Sequence, residues 1–144
     1  MFKSILVPTD GSDVTTKAVN TAISLAKSGG GKLYAISVKE PFPYSAISEM
    51  QPVPPQEFYD AQERIAAARV KAVVDAAATA GLACEGFTVE AIHPWEAILD
   101  LAKDRQCDLV VMASHGRRGM AAVLLGSETN RVLTHSSLPV LVVK

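Results

Sequence analysis

The sequence predicts a single-domain, doubly wound α/β protein, in which a five-stranded parallel sheet carries helices on both faces. Short apolar runs rich in β-branched residues alternate with longer segments whose apolar residues recur at helical spacing. The strand candidates are continuous apolar runs, which is typical of parallel strands buried on both faces. A chain of 144 residues suits one domain, so we expect residues 1–144 to form a single domain.

Nine elements follow from these two patterns. The five strand candidates are Ile5–Val7, Leu33–Val38, Phe87–Val89, Leu109–Met112 and Val140–Val143. The four helix candidates are Val14–Lys27, Glu57–Ala80, Pro94–Asp104 and Ser127–Ser136. Ser12 or Asp13 is suited to cap the first helix and Gly29–Gly31 to end it. Gly81 suits the end of the second helix, and Pro94 the first turn of the third.

Residues 39–56 interrupt the alternation. This interval contains five prolines, which exclude regular structure: Pro41, Pro43, Pro52, Pro54 and Pro55. The loop is either a surface connection or a lid or dimer flap beside the carboxyl end of the second strand, where α/β proteins bind ligands. The sequence leaves both interpretations open.

Composition excludes several classes of partner and compartment. The formal net charge of -1 lacks the positive field expected for binding to nucleic acid or an anionic membrane. No stretch approaches the roughly 20 apolar residues of a membrane-spanning helix, and the first residues do not resemble a signal peptide. We therefore expect a cytoplasmic protein, with Cys84 and Cys107 as free core thiols.

A carboxylate and a glycine follow the first strand directly. Residues Pro8–Ser12 read Pro-Thr-Asp-Gly-Ser, which places Asp10 and Gly11 at the edge of the sheet where α/β proteins bind ligands. Aspartate and glycine also favour turns for purely local reasons. Asp10 is therefore either a ligand-binding residue or the start of a turn.

A second glycine-punctuated stretch indicates a phosphate site. Met112–Gly116 is followed by nine residues and then by Gly126–Ser127 at the start of the last predicted helix. The free amides of a helix start attract phosphate, Ser127 adds a hydroxyl, and Arg117 and Arg118 could reach the outer phosphates. The alternative is an ordinary serine-capped helix beside two solvated arginines.

Other catalytic and metal motifs are absent from the sequence. Neither a P-loop nor a GxGxxG turn follows the first strand, and GxSxG is missing. Ser114 and His115 are adjacent at a strand end, so we expect their side chains to point apart and not to form a hydrolase dyad. The histidines His93, His115 and His135 are too scattered to predict a zinc site.

Four segments together resemble the universal stress protein family. They are Val7–Ser12, Ala113–Gly119, Leu125–Ser127 and Leu138–Val143. The most specific element is the family's nucleotide signature, G-x2-G-x9-G followed by Ser or Thr. Here Ala113 stands at the first glycine, with Gly116, Gly126 and Ser127 at the other positions.

The resemblance implies strand order 3-2-1-4-5, a homodimer joined through Val140–Val143 and, in one branch of the family, binding of ATP, ADP or AMP. Pro8 and Asp10 would lie by the ribose and base, and Val38 would offer its backbone to adenine. Met112 and Ala113 would line the pocket. The phosphates would lie on the amides of Gly116, Gly126, Ser127 and Glu128. The predicted set is completed by Thr9, His115, Arg117 and Gly119.

Two positions modify this expectation. If the first signature position requires a positive φ, Ala113 costs roughly 1 to 2 kcal/mol. Glu128 lies in the first turn of the last helix, where its carboxylate would compete with phosphate for the same helix field. Because Asp10 and Glu128 are both acidic, we expect Mg²⁺ or Mn²⁺ to bridge the phosphate oxygens.

Three functions are compatible with these residues. The leading one is an ATP-binding stress-response switch with at most slow hydrolysis, because Asp10 is the sole candidate base and no catalytic residue is assigned. The second is a nucleotide-free dimer that acts through an unidentified protein partner. The third is an adenylate-forming or ATP-pyrophosphatase-type enzyme, which is disfavoured because Pro8–Ser12 does not match the SGGxDS loop.

Overall fold

The computed structural model describes residues 1–41, 56–116 and 125–144, which contain five strands and four helices. In chain order these elements are β1 (Ser4–Pro8), α1 (Asp13–Gly29), β2 (Lys32–Lys39), α2 (Gln56–Thr79), β3 (Cys84–Glu90), α3 (Pro94–Asp104), β4 (Leu109–Ala113), α4 (Ser127–His135) and β5 (Val140–Val143). Every predicted element is confirmed. The largest difference is at β3, which begins at Cys84 where the sequence predicted Phe87.

The strands form one sheet in the order β3-β2-β1-β4-β5, and every pairing is parallel. This order confirms what the family resemblance implied. Leu6 in the central strand β1 is paired with Tyr34 in β2 on one side and with Val110 in β4 on the other. The chain thus reverses its direction of winding between β1 and β4, and such a switch point opens a crevice at the carboxyl ends of these two strands.

Alternate residues of the central strands build two separate cores. Ile5 and Val7 of β1 pack on the face covered by α1 and α2. Leu6 packs on the opposite face, under α3 and α4. Each fully buried aliphatic side chain of this kind stabilises the fold by about 1.5 to 3 kcal/mol. The continuous apolar runs are explained by this burial on both faces.

The ends of α1 are set by local side-chain and backbone chemistry. Ser12, and not Asp13, is the N-cap, and its side chain accepts a hydrogen bond from the Thr15 amide. Gly30 ends the helix in the left-handed conformation, with φ of 66°, which glycine adopts without strain. Both ends of α1 are therefore fixed by residues next to them in the sequence.

The two cysteines are free, but only one is fully buried. Cys107 belongs to the core under α3 and α4, as predicted, while Cys84 is half-buried at the start of β3. Burial raises the pKa of the Cys84 thiol to about 11. A thiol with such a pKa is a poor nucleophile at neutral pH.

The proline-rich loop falls mostly on residues 42–55, which lie outside the described residues, so its role as a lid or flap stays a prediction. Among the helices that the structure describes, none combines the length and the apolar character needed to cross a bilayer.

Two buried hydroxyls give opposite predictions for stability. Among the described residues the Ser37 Oγ, in a residue that is 1% exposed, has no hydrogen-bond partner, whereas the Thr129 Oγ1 donates to the Ala113 carbonyl at 2.8 Å. We expect Ser37→Ala to leave the free energy of unfolding unchanged or higher. Thr129→Val should lower it by about 1 to 3 kcal/mol, because a buried carbonyl loses its donor. Urea denaturation measures both, and an equal loss in the two variants would contradict the prediction.

Candidate functional site

The crevice at the switch point is bordered by the segments that follow β1 and β4. The Thr9 amide donates to the Ile36 carbonyl of β2 at 2.9 Å, which holds the chain in line with β1 beyond the end of that strand. The Ser114 amide donates to the Val143 carbonyl of β5 at 2.8 Å. Both segments therefore reach the crevice in positions set by the sheet.

Asp10 makes the turn that the sequence offered as one of its two roles, while its role in ligand binding stays a prediction. Its Oδ1 accepts hydrogen bonds from the Ser12 amide at 2.9 Å and from the Thr15 hydroxyl at 3.0 Å, which makes the turn into α1. Its Oδ2 faces Gly116, since a Cβ added at Gly116 would lie 2.7 Å from that oxygen. The carboxylate therefore links the β1 loop to the β4 loop across the crevice.

The two signature glycines lie at points of close approach, and neither needs glycine for its backbone conformation. Neither has a φ in the left-handed region. A Cβ at Gly126 would lie 3.1 Å from the Cα of His115, and the Gly126 amide donates to the Ser114 carbonyl at 2.7 Å. A side chain at Gly126 would therefore press on the end of β4 with or without a ligand. The Gly126 amide, which the resemblance assigns to phosphate, is already bonded to Ser114.

The start of α4 has a glycine at its N-cap. Gly126 is that cap and Ser127 is the first helical residue, so the alternative of a serine-capped helix is wrong. Glycine offers no side-chain oxygen to the amides of the first turn. A helix start of this kind suits an anionic ligand, because its amides carry a partial positive charge.

Ala113 causes no strain at the position of the first signature glycine. It is a buried residue of β4, and among the described residues the one non-glycine with positive φ is Gln106. The predicted cost of a left-handed alanine therefore does not arise. The Ala113 carbonyl also accepts the Thr129 hydrogen bond that fixes α4.

The Glu128 side chain is directed to a neighbouring helix. Its Oε2 accepts a hydrogen bond from the Trp95 amide in the first turn of α3 at 2.9 Å. The N-cap residue of α3, His93, makes no side-chain hydrogen bond to that turn. The carboxylate is thus bonded to α3, and its competition with phosphate for the field of α4 stays a prediction. The one signal in the sequence was a helix start at Pro94 without a capping residue before it.

Ser114 and His115 do not point apart, and that prediction is wrong. The Ser114 Oγ lies 3.1 Å from the Nδ1 of His115, at hydrogen-bond distance. The strand has already ended at Ala113, so the alternation of side chains no longer applies to these two residues. Ser114 is only 7% exposed, which makes it a poor nucleophile for a substrate in the crevice.

The other two histidines are not bonded to Ser114 or His115 in the described residues. His135 stacks on Trp95 with a centroid distance of 4.3 Å, and His93 precedes α3. The described residues contain no group of three or more acidic, histidine or cysteine side chains that could hold a metal ion.

The remaining predicted residues are only partly brought together. Pro8 ends β1 half-buried, and the hydroxyl of the buried Thr9 accepts from the Gly11 amide at 3.2 Å. Val38 and Met112 pack on the face of the sheet that α3 and α4 cover, whereas Ala113 packs on the other face. The predicted pocket lining is therefore divided between the two faces. Arg117 and Gly119, together with Arg118, lie outside the described residues.

These features define a doubly wound α/β protein with a polar crevice at its topological switch point. The model of the universal stress protein family matches residues 1–144, and the chain belongs to that family. It is 33% identical to universal stress protein MJ0531 of Methanocaldococcus jannaschii, over all of this chain and 83% of that protein.

Solved structures show the same fold. Universal stress protein UspA of Lactobacillus plantarum is 26% identical, with a TM-score of 0.82 over 99% of this chain and 97% of that one. A universal stress protein solved in complex with cAMP is also 26% identical, with a TM-score of 0.73 and the same shares covered.

The role of Glu128 as a cap for α3 predicts a loss of stability on truncation. Glu128→Ala should lower the free energy of unfolding by about 1 kcal/mol, because the Trp95 amide loses its acceptor. Glu128→Gln keeps an oxygen at the same distance and should lose less. Urea denaturation of both variants tests this, and equal stability of wild type and Glu128→Ala would contradict it.

Proposed function

We propose that this chain binds an adenine nucleotide, with ATP as the preferred ligand, in the crevice between the β1 loop and the start of α4, and that the nucleotide acts as a switch in the stress response. The observation that carries the proposal is the meeting of Asp10, Gly116 and the glycine-capped start of α4 at the switch point. Ligands bind at this place in open α/β sheets.

The start of α4 supplies the groups that phosphate needs. Its amides are directed out of the helix end, the N-cap residue Gly126 has no side chain to occupy them, and Ser127 is exposed beside them. Phosphate oxygens accept hydrogen bonds from such amides and are favoured by the helix dipole. Each favourable charge placement there is worth about 0.3 to 1 kcal/mol at an exposed helix end.

The choice of adenine rests on the relatives. A family member with the same fold and 26% identity was solved in complex with cAMP. A triphosphate carries more phosphate oxygens than a cyclic monophosphate and could accept more hydrogen bonds from the amides at the start of α4. We therefore propose ATP as the ligand of highest affinity, followed by ADP and AMP.

A divalent cation would assist binding of the triphosphate. The Asp10 carboxylate is held at the edge of the crevice by the Ser12 amide and the Thr15 hydroxyl, and it would repel bare phosphate. Mg²⁺ or Mn²⁺ bound by the phosphate oxygens offsets that repulsion. Because the Glu128 carboxylate is bonded to α3, Asp10 is the acid that this cation would compensate.

Hydrolysis would be slow at best. An in-line attack on the γ-phosphate needs a base or a metal-held water in a fixed position. Asp10 is the acidic candidate in the crevice, and its Oδ1 is already engaged in the turn into α1. Bound nucleotide would therefore persist as a signal.

Glu128 connects the proposed phosphate site to α3, so nucleotide binding could change the position of that helix. Its backbone belongs to the first turn of α4, while its side chain holds the first turn of α3. A phosphate bound to the α4 amides would accept hydrogen bonds from the same turn that positions this carboxylate. The orientation of α3 would then depend on the nucleotide.

A nucleotide-free dimer is the second candidate. The observation in its favour is the tight packing of Gly126 against His115, which gives this glycine a role without any ligand. Retention of this signature residue is thus no argument for nucleotide binding by itself. The two candidates are separated by the binding experiment below.

Nucleotide binding is tested with Ser127→Asp. A carboxylate at the first residue of α4 would take up the amides that we propose bind phosphate. The helix dipole favours a negative charge there, so the fold should keep its melting temperature. We expect calorimetric titration with ATP, ADP, AMP and cAMP, with and without Mg²⁺, to show binding to wild type and a loss of about tenfold or more in the variant. Gln56→Asp, the same charge change at the start of α2, is the control. Absence of binding to wild type would favour the nucleotide-free dimer.

The proposed homodimer forms through β5. This strand pairs with β4 on one side, and the carbonyls of Pro139 and Val143 are directed to β4. By strand alternation the backbone groups of Val140 and Val142 face the other edge. Val142→Pro should therefore yield a monomer in sedimentation at micromolar concentration, because it removes an edge donor. A wild type that sediments as a monomer would overturn the dimer.

A further inference from the structure

A groove runs along α3, between this helix and the segment that follows β3. Four carboxylates line it: Glu90 at the end of β3, and Glu96, Asp100 and Asp104 at intervals of four residues along α3. In the part of the chain that the structure describes, no lysine or arginine forms an ion pair with any of the four. The groove therefore presents a concentrated negative charge in a chain whose formal net charge is only -1.

The charges are spread along the groove and are not gathered at one point. Within the described residues, no three acidic or histidine side chains are placed to hold a metal ion. Successive carboxylates four residues apart on a helix are separated by about one turn, or 5.4 Å along the axis. An elongated cationic partner fits this spacing better than a single ion.

Two of these acids lower the stability of the helix that carries them. Carboxylates four residues apart repel one another, and Asp100 and Asp104 lie in the second half of α3, where the helix dipole disfavours negative charge. A row of this kind lowers the stability of the folded chain. If the row serves binding, removing these charges should stabilise the fold and weaken the binding.

An exposed aliphatic side chain lies in the midst of these acids. Ile92 is 76% exposed and lines the groove beside Ala91, while Leu101 and Ala97 form its buried side. Lysine and arginine place their methylene stems on apolar surface while their charged ends meet carboxylates. Ile92 adds a contact that a second aliphatic side chain could cover.

We propose that this groove docks a segment of another protein that carries several lysine or arginine residues and at least one large aliphatic residue. The cationic groups pair with Glu90, Glu96, Asp100 and Asp104, and the aliphatic residue packs on Ile92. Because the contacts are exposed, binding weakens as salt rises. The groove shares none of the residues proposed to bind nucleotide, so docking can be measured on nucleotide-free protein and is tested separately from the proposed function.

The experiment uses the full chain, labelled with ¹⁵N, and the peptide acetyl-Arg-Leu-Arg-Arg-Leu-Arg-amide as the probe. We expect saturable amide shifts at residues 89–104 in low salt. Asp100→Asn with Asp104→Asn should weaken the affinity by about tenfold and leave the melting temperature unchanged or higher. Glu57→Gln with Glu85→Gln removes two exposed charges outside the groove and is the matched control. Shifts located elsewhere, or an equal loss in the control, would overturn the proposal.

Two further arms distinguish a protein segment from a simple polycation. Ile92→Ser should weaken peptide binding by a few-fold, since the aliphatic contact is lost, and should not alter the small response to spermidine. If spermidine saturates the same amides as tightly as the peptide does, or if Ile92→Ser leaves peptide affinity unchanged, the groove is not a docking site for a protein segment and the proposal is refuted.

Discussion

The close contact between the end of β4 and the start of α4 is the constraint on which the crevice depends. Two hydrogen bonds join them, from the Gly126 amide to the Ser114 carbonyl and from the Thr129 hydroxyl to the Ala113 carbonyl. The backbones come so near that a side chain at Gly126 would press on His115. Because β4 lies beside the central strand, this contact places a helix start at the switch point of the sheet.

The same contact changes how the glycine signature is understood. A side chain at Gly126 would crowd the His115 backbone, and one at Gly116 would meet the Asp10 carboxylate, so each glycine has a packing role in the absence of a ligand. In the absence of a ligand, the signature indicates a close approach between the backbones of the β4 and α4 ends. If phosphate binds at the Ser127 and Glu128 amides, as we propose, the backbone there is already in place, which lowers the free-energy penalty of ordering the site on binding.

The carboxylates of the chain are divided between different tasks. Asp10 closes the turn into α1, Glu128 caps α3 from a neighbouring helix, and Glu63 binds Lys39 and Thr88 where α2 meets the sheet. The Lys39 and Thr88 hydrogen bonds lower the pKa of the Glu63 carboxyl. The acids along α3 have no comparable partner among the described residues, which is why their groove stands out on an otherwise balanced surface.

Local sequence determined the elements and the class of fold. Burial on both faces imposes continuous apolar strands, and helix ends depend on residues such as Ser12 and Gly30, whose effects are local. The family resemblance supplied the strand order, which periodicity alone does not contain. The location of the crevice then followed from the position of Asp10 and Gly116 at two strand ends.

Tertiary structure alone decided the partners of individual side chains. The hydrogen bond of Glu128 to Trp95 joins residues from different helices, and no spacing along the chain reveals it. The approach of Ser114 to His115 depends on where β4 ends, and the division of Met112 and Ala113 between two cores depends on the register of the whole sheet. Hydrophobic periodicity reports which face of an element is buried, whereas a contact between elements depends on their relative placement in three dimensions.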